Sequence, residues 1–202
     1  MSLWRGLHPL ILASQSRTRL TLLTSAGIDV EVIPADIDER ALQQASNLSA
    51  PGEIAVVLAR EKALFVSLKK AGHYVVGADQ TLALGDRLFN KPADRSQALA
   101  QLKALAGHTH DLYSAVAVAL DGKIVFERTA MASLTMRPMA EADIAAYLDA
   151  AGDVVMSSVG SYQLERFGVH LFERIEGDHF TILGLPLLPL LGFLRSQFLL
   201  AI

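Results

Sequence analysis

The chain has 202 residues, 51% of them hydrophobic, no cysteine and a net charge of −3. That length suits one domain or two closely joined lobes around a sizeable core. The missing cysteines exclude disulfides, zinc thiolates and thiol catalysis, and with a pI near 6.0 no basic surplus points to a nucleic-acid polymer.

Mean hydropathy is +0.34, yet no uninterrupted apolar run reaches the roughly 18 to 20 residues a membrane span needs. The most apolar stretch, Leu183 to Ile202, is broken by Gly184, Pro186, Pro189, Gly192 and Arg195, and reads as a buried C-terminal helix. Met1 to Pro9 has no long apolar core before a small-residue cleavage site, so no secretion signal is expected there. No membrane association is expected, and the cytoplasm is the expected compartment.

In chain order, strand-like and helix-like segments alternate. Leu10 to Ala13 reads as a strand, Arg17 to Ala26 as a helix closed by Gly27, and Val30 to Pro34 as a second strand. An acidic loop follows, Asp36-Ile37-Asp38-Glu39-Arg40. Pro51-Gly52 opens a long helix whose apolar positions Ile54, Val57, Leu58, Phe65 and Leu68 fit a 3.6-residue period. Glu61 and Lys62 fall at the edge of that stripe. Tyr74 to Gly77 is the next strand, ending at Asp79, and Thr81 to Phe89 reads as a small hairpin turning at Gly85-Asp86. Asp94 caps a helix running to Ala106, with Gln97 in capping-box position. Tyr113 to Leu120 and Lys123 to Met136 flank Asp121-Gly122, a strong hairpin signal. A helix runs from Glu141 to Ala151. Val169 to Ile175 and Phe180 to Leu183 flank a turn at Glu176-Gly177, and Pro186 starts the last helix. The pattern is a mixed α/β protein.

Several groups have a chemical reading and a plainer one beside it. Asp79, at a strand end next to the small Gly77 and Ala78, is placed to meet a ligand or simply to start a turn. Ala13-Ser14-Gln15-Ser16-Arg17-Thr18-Arg19 lies between a strand and a helix; it makes a phosphate cradle or an ordinary serine cap. The carboxylates Asp36, Asp38 and Glu39 suit magnesium or manganese, or form a solvated loop. Lys91-Pro92 aims a cation or is a surface turn, and Lys62 is a cleft lysine or a solvated one. Gly160 to Gly168, framed by two glycines, is a recognition loop or a connection. His108 and His110 have no partner at metal-binding spacing and read as structural.

Taken in order, these pieces resemble the Maf family of nucleoside triphosphate pyrophosphatases. The resemblance covers nearly the whole chain. It rests on Leu10-Ile-Leu-Ala-Ser-Gln-Ser16, Asp36-Ile-Asp-Glu39, Arg60-Glu-Lys-Ala63, Val76-Gly-Ala-Asp79, Lys91-Pro92, Gly107-His-Thr-His110, Glu173-Arg-Ile-Glu-Gly177 and Leu183-Gly-Leu-Pro-Leu187. It implies one Maf-like domain over 1–202, two lobes around a cleft. The implied fold is an elongated mixed sheet flanked by helices, similar to inosine-triphosphate pyrophosphatases. The implied reaction cleaves a nucleoside triphosphate between the α- and β-phosphates with a divalent cation, magnesium or manganese. Asp79 then matches the catalytic acid, with Lys62 and Lys91 as cleft lysines. Ser14, Ser16 and Arg19 match phosphate ligands, and Glu39 an acid near the metal beside Asp79. A homodimer is the implied assembly. The rival expectation is a nucleotide-binding regulator of septum formation and cell division with little catalysis.

Gln80 and Glu165 stand where many relatives carry threonine and glutamine. In this they are similar to the subgroup acting on 7-methyl-GTP. Thr18 stands where that subgroup often has tryptophan, Leu20 where the family has a second arginine, and Arg17 where it has proline. Arg17 is therefore expected to supply the missing phosphate charge, and Thr18, Gln80 and Glu165 to select the base. A free aspartate titrates near 3.9, so Asp79 either has its basicity raised by burial or positions a water acidified by the metal.

Overall fold

All three side chains of β1 (Leu10–Leu12) are buried, as in a strand covered on both faces. The computed structural model describes residues 2–202 and sets β1 in a seven-stranded sheet. The other strands are β2 (Val30–Val32), β3 (Val75–Leu84), β4 (Arg87–Phe89), β5 (Thr109–Leu120), β6 (Lys123–Met136) and β7 (Phe172–Glu176). Their order is β2-β1-β3-β5-β6-β7, with β4 pairing separately on β3. The β2–β1 and β1–β3 pairs are parallel, and the rest are antiparallel. The helices are α1 (Arg17–Ser25), α2 (Glu39–Ser46), α3 (Pro51–Ser67), α4 (Arg95–Leu105), α5 (Glu141–Ala151), α6 (His179–Ile182) and α7 (Leu187–Ser196).

β3 departs from the sequence expectation. The hairpin turning at Gly85-Asp86 forms, but its first strand is not separate from Tyr74–Gly77; one strand runs from Val75 to Leu84, and Asp79 sits in its middle. The reason is β5, which pairs with β3 continuously from Val75 to Ala83 and supplies ladder partners throughout. The other edge of β3 is interrupted. β1 covers Val75 and Val76, β4 covers Leu82 to Leu84, and residues 77–81 between them form a notch without a strand partner.

Helix α3 lies on the face of the sheet over β3 and β5. Its buried face is Ile54, Ala55, Leu58, Ala59, Lys62, Ala63 and Val66, rotated from the larger apolar residues. Val57 and Phe65 are only half-buried and Leu68 is 75% exposed. Small side chains win the sheet-facing side because the helix sits so close: Ala55, Ala59 and Ala63 pack on Ala115, Ala117 and Ala119. At Gly77 even a methyl group is too large, since a Cβ there would lie 2.1 Å from the Ala59 carbonyl oxygen and 2.6 Å from Ala63 N. Lys62, expected at the solvent edge, is carried inward and is 7% exposed.

The opposite face of β3 borders two apolar clusters. One gathers Leu10, Leu12, Leu23, Val76, Ala78 and Leu190, the other Leu82, Leu102, Leu112, Leu134 and Ile144. Local signals placed many boundaries. Pro51 is the first residue of α3, Asp94 caps α4, and Asp121-Gly122 turns β5 into β6 with both residues at positive φ. Others differ. Asp38 is not a free acid, because it caps α2 by accepting the Ala41 N–H. Gln97 does not complete a reciprocal box, since its side chain accepts from Ala93 N–H instead of the Asp94 amide. Val169 to Leu171 belong to a 3-10 turn, so β7 starts only at Phe172, and Phe180–Ile182 belong to α6, started by the Asp178 cap. No helix among the described residues is long and apolar enough to cross a membrane.

His110 fits its structural reading. It is 1% exposed, and its Nε2 lies 2.7 Å from the Tyr162 hydroxyl while Nδ1 has no partner among the described residues. Burial lowers its pKa from 6.5 to about 4, against the pull of Asp111. The unfolded chain therefore binds the proton first as pH falls. His110 should cost about 3 kcal/mol of stability as pH drops from the unfolded pKa near 6.5 towards about 4. Denaturant titrations across that window should show this slope, and His110→Gln should remove that part of it. Gly77→Ala should force α3 off the sheet and lower stability by roughly 3 kcal/mol, a fall in Tm near 10 °C. Calorimetry checks this, and an unchanged Tm would show that the contact is soft.

Candidate active site

Successive residues of a strand face opposite sides, so β3 offers Asp79 to α3 and Gln80 to α6. Asp79 is 8% exposed, and its Oδ1 accepts from Lys62 Nζ at 2.6 Å. Lys62 also meets Glu39 Oε1 at 2.7 Å, at the start of α2. One ammonium thus bridges two carboxylates from different elements. Burial pushes the Asp79 carboxyl above the usual carboxylate range, against the opposing charges of Lys62 and Arg19, with Glu39 adding to the rise. A carboxylate shifted this way is a better proton acceptor near neutral pH than a free aspartate.

The notch beside Asp79 is filled by Arg19. Its Nη1 donates to Ala78 O at 2.7 Å and Ser14 Oγ at 3.1 Å, and its Nε to Gly184 O at 2.8 Å. The Ala78 carbonyl lies on the same strand edge as the Val76 carbonyl that β1 uses, so Arg19 replaces a missing ladder bond. Only Nη2 of the guanidinium has no hydrogen bond among the described residues. Burial lowers the Arg19 pKa, opposed by Asp79 and Glu39, but a guanidinium stays charged at any ordinary pH.

Ser14 and Ser16 divide the two readings of their loop. Ser16 is the N-cap of α1, its Oγ accepting from Arg19 N–H at 3.3 Å. Ser14 Oγ accepts from Ser16 N–H and from Arg19 Nη1. With both lone pairs engaged, its hydroxyl proton is free to donate. The N–H groups of Arg17 and Thr18 have no acceptor among the described residues. A free hydroxyl and a helix N-terminus thus sit beside a buried arginine, a setting that favours anions.

Thr18 and Glu165 are brought together, with the Thr18 hydroxyl donating to Glu165 Oε1 at 3.0 Å. The contact joins α1 to the loop after Tyr162. A pocket of about 420 Å³ opens beside Glu165, lined by Tyr147, Val154, Gln163, Arg166 and Phe167 among others. Gln80 is held elsewhere. Its amide nitrogen lies 2.9 Å from Ser114 Oγ, 3.2 Å from Thr181 O and 3.0 Å from Ile182 O. Only its carbonyl oxygen is left for a ligand, as an acceptor. Ser114 and Thr181, which orient Gln80, carried no sequence signal beyond being polar next to apolar runs. Lys91 and Arg17 are exposed and make no ion pair or hydrogen bond among the described residues. A larger groove of about 710 Å³, lined by Val56, Val57, Tyr113 and Met131 among others, includes none of these groups.

Glu39 and Asp79 converge from two sides on the Lys62 ammonium, which stands between them. Two carboxylates form the donor set that magnesium takes when phosphate and water complete its shell. Groups of three or more acids or histidines able to hold an ion alone are absent among the described residues. An ion would share Glu39 and Asp79 only with the Lys62 ammonium displaced from between them and with phosphate and water completing its shell.

A family model described as Maf-like protein matches residues 9–197. The chain belongs to the Maf family. It is 66% identical to a protein of Bradyrhizobium diazoefficiens named nucleoside triphosphate pyrophosphatase, over 202 residues and the whole of both chains. A Mesorhizobium japonicum protein named 7-methyl-GTP pyrophosphatase is 50% identical over 190 residues, 93% of this chain and 95% of its own. Among solved structures, a HAM1 protein from Coxiella burnetii aligns over 63% of this chain and 72% of its own, with a TM-score of 0.42 and 18% identity.

Lys62 holds the Asp79 carboxyl down while burial drives it up. Lys62→Met should therefore raise the Asp79 titration midpoint further. Carbon-detected NMR of the aspartate side chains checks this, and a lowered midpoint would mean that the lysine is not its dominant partner.

Proposed function

We propose that this protein is a nucleoside triphosphate pyrophosphatase that hydrolyses the α–β phosphoanhydride, releasing a monophosphate and pyrophosphate. The observation carrying the reading is the buried Asp79–Lys62 pair beside the Ser14–Arg19 anion cradle. Family membership and the names of the relatives support it. In this reading Asp79 takes a proton from the attacking water, and Lys62 returns its charge towards the phosphate as Asp79 becomes neutral. Ser14, the free N–H groups at the start of α1 and Arg19 Nη2 bind phosphate oxygens, while Lys91 and Arg17 reach the chain from solvent-facing positions. Such donors act where charge develops. Glu39 and the Asp79 oxygen that does not face Lys62 would hold a magnesium or manganese ion, which would neutralise charge on the phosphate oxygens.

The base lies in the pocket beside Glu165. A carboxylate there attracts a cationic ring and accepts from guanine N–H groups, so 7-methyl-GTP is the favoured substrate. The named Mesorhizobium relative supports this choice.

Asp79→Asn should reduce pyrophosphate release by about 10²- to 10⁴-fold, the range for loss of a general base, with the fold retained by circular dichroism. Nucleotide binding by wild type with no turnover would overturn the enzyme reading. In a panel of canonical and modified triphosphates, kcat/KM should be highest for 7-methyl-GTP, and a preference for UTP would overturn the base assignment alone.

A further inference from the structure

Two loops read above as substrate contacts meet on one side chain that neither the sequence motifs nor the family resemblance singled out. The first runs from Asn90 to Ala93, between β4 and α4, and carries Lys91. Two α4 glutamines one helical turn apart bracket it. Gln97 Oε1 accepts the Ala93 N–H at 3.1 Å, and Gln101 Nε2 donates to Asn90 O at 2.8 Å. The second loop carries Glu165, whose carboxylate reaches Thr18. Its root is Ser161, and Ser161 Oγ donates to Gln101 Oε1 at 3.0 Å.

The two contacts fix the orientation of the Gln101 amide, because its nitrogen must face a carbonyl and its oxygen a hydroxyl. Ser161 is fully buried and holds φ at 62°, directly after Gly160 at 75°. A left-handed conformation is unfavourable for serine and easy for glycine. What serine adds over glycine here is the hydroxyl aimed at Gln101. The backbone is tied on its other side as well, since Ser161 O accepts from the Tyr147 hydroxyl at 3.3 Å. A strained, buried residue with its polar atom committed to a single partner is the mark of a fixed position.

We propose that Gln101 is a positioning residue that holds the Lys91 loop and the Glu165 loop in one register, so that the phosphate contact and the base contact stay matched. The proposal rests on the reading of Lys91 and Glu165 as substrate contacts. A substrate long enough to touch both loops feels the register. Loss of Gln101 therefore weakens discrimination between bases as well as overall rate.

Gln101→Met keeps the side-chain length and removes both polar ends. Steady-state kinetics with 7-methyl-GTP and UTP, in Gln101→Met alone and combined with Lys91→Ala or Glu165→Gln, test the coupling. The expected result is a loss of about tenfold in kcat/KM for 7-methyl-GTP, the scale of lost positioning hydrogen bonds. The ratio between the two nucleotides should shrink, and the loss should be smaller in either second background. A merely structural role would lower both nucleotides by one factor and multiply independently with both second changes, which overturns the proposal. If Gln101→Met does not fold, Gln101→Glu keeps the acceptor for Ser161 and sets a carboxylate oxygen, which repels the Asn90 carbonyl, in place of the donor. It should then couple to Lys91→Ala and leave Glu165→Gln additive; the reverse pattern overturns the relay. A wild-type protein inactive on every triphosphate would sink the pyrophosphatase reading, and the relay with it. An active wild type whose base ratio ignores Gln101 sinks the relay alone.

Discussion

Helix α3 comes so close to β3 that Gly77 has no room for a Cβ, and the site depends on that approach. Alanines on both surfaces give the helix its short distance from the sheet. One turn along, the same closeness takes Lys62 out of solvent and sets it on Asp79. A longer gap would admit water between the ions and weaken both the burial and the ion pair. With the gap closed, burial raises the carboxyl while the ammonium opposes it. The Asp79 carboxyl is therefore held between two opposing pulls.

The notch in β3 adds a second constraint. A strand interrupted on one edge exposes carbonyls that need donors, and Arg19 supplies one to Ala78 while also binding Ser14. The arginine thus repairs the sheet and fixes the Ser14 hydroxyl in one placement. On the other face of the same strand, Gln80 and Ser114 form a polar seam against the α6 carbonyls. That seam lies between the two apolar clusters. Three neighbouring residues of β3 consequently serve three directions: Ala78 through its carbonyl, Asp79 towards α3 and Gln80 towards α6.

Local chemistry was legible wherever a residue's partner lay within a few positions. The Ser16 cap, Pro51 at a helix start, the Asp94 cap and the Asp121-Gly122 turn all follow from backbone groups close in sequence. The failures have a common cause as well. Asp79 looked like a strand end because Gly77 interrupts the apolar pattern, but β5 supplies hydrogen-bond partners straight through it. Val57 and Leu68 fitted a helical stripe, but the close sheet favours alanine over bulk. Asp38 looked like a metal acid and serves as a cap. Gln101 gave no signal, since a glutamine on an amphipathic helix is ordinary until its two distant partners are in place.

The sequence by itself determined the alternation of strands and helices, the family, and which acids, lysines and serines were candidates. Those properties are carried by periodicity, turn chemistry and ordered short motifs, all of which survive without coordinates. Only the tertiary structure decided which candidates meet. It joined Lys62 to Asp79 and Glu39, Arg19 to Ser14, and Thr18 to Glu165, and it left Lys91 and Arg17 facing solvent. It also decided that Asp79 and Gln80, adjacent in the chain, face opposite sides of the sheet. The physical reason is that pKa and hydrogen-bond direction depend on burial and on neighbours far away in the chain, and side-chain identity specifies neither.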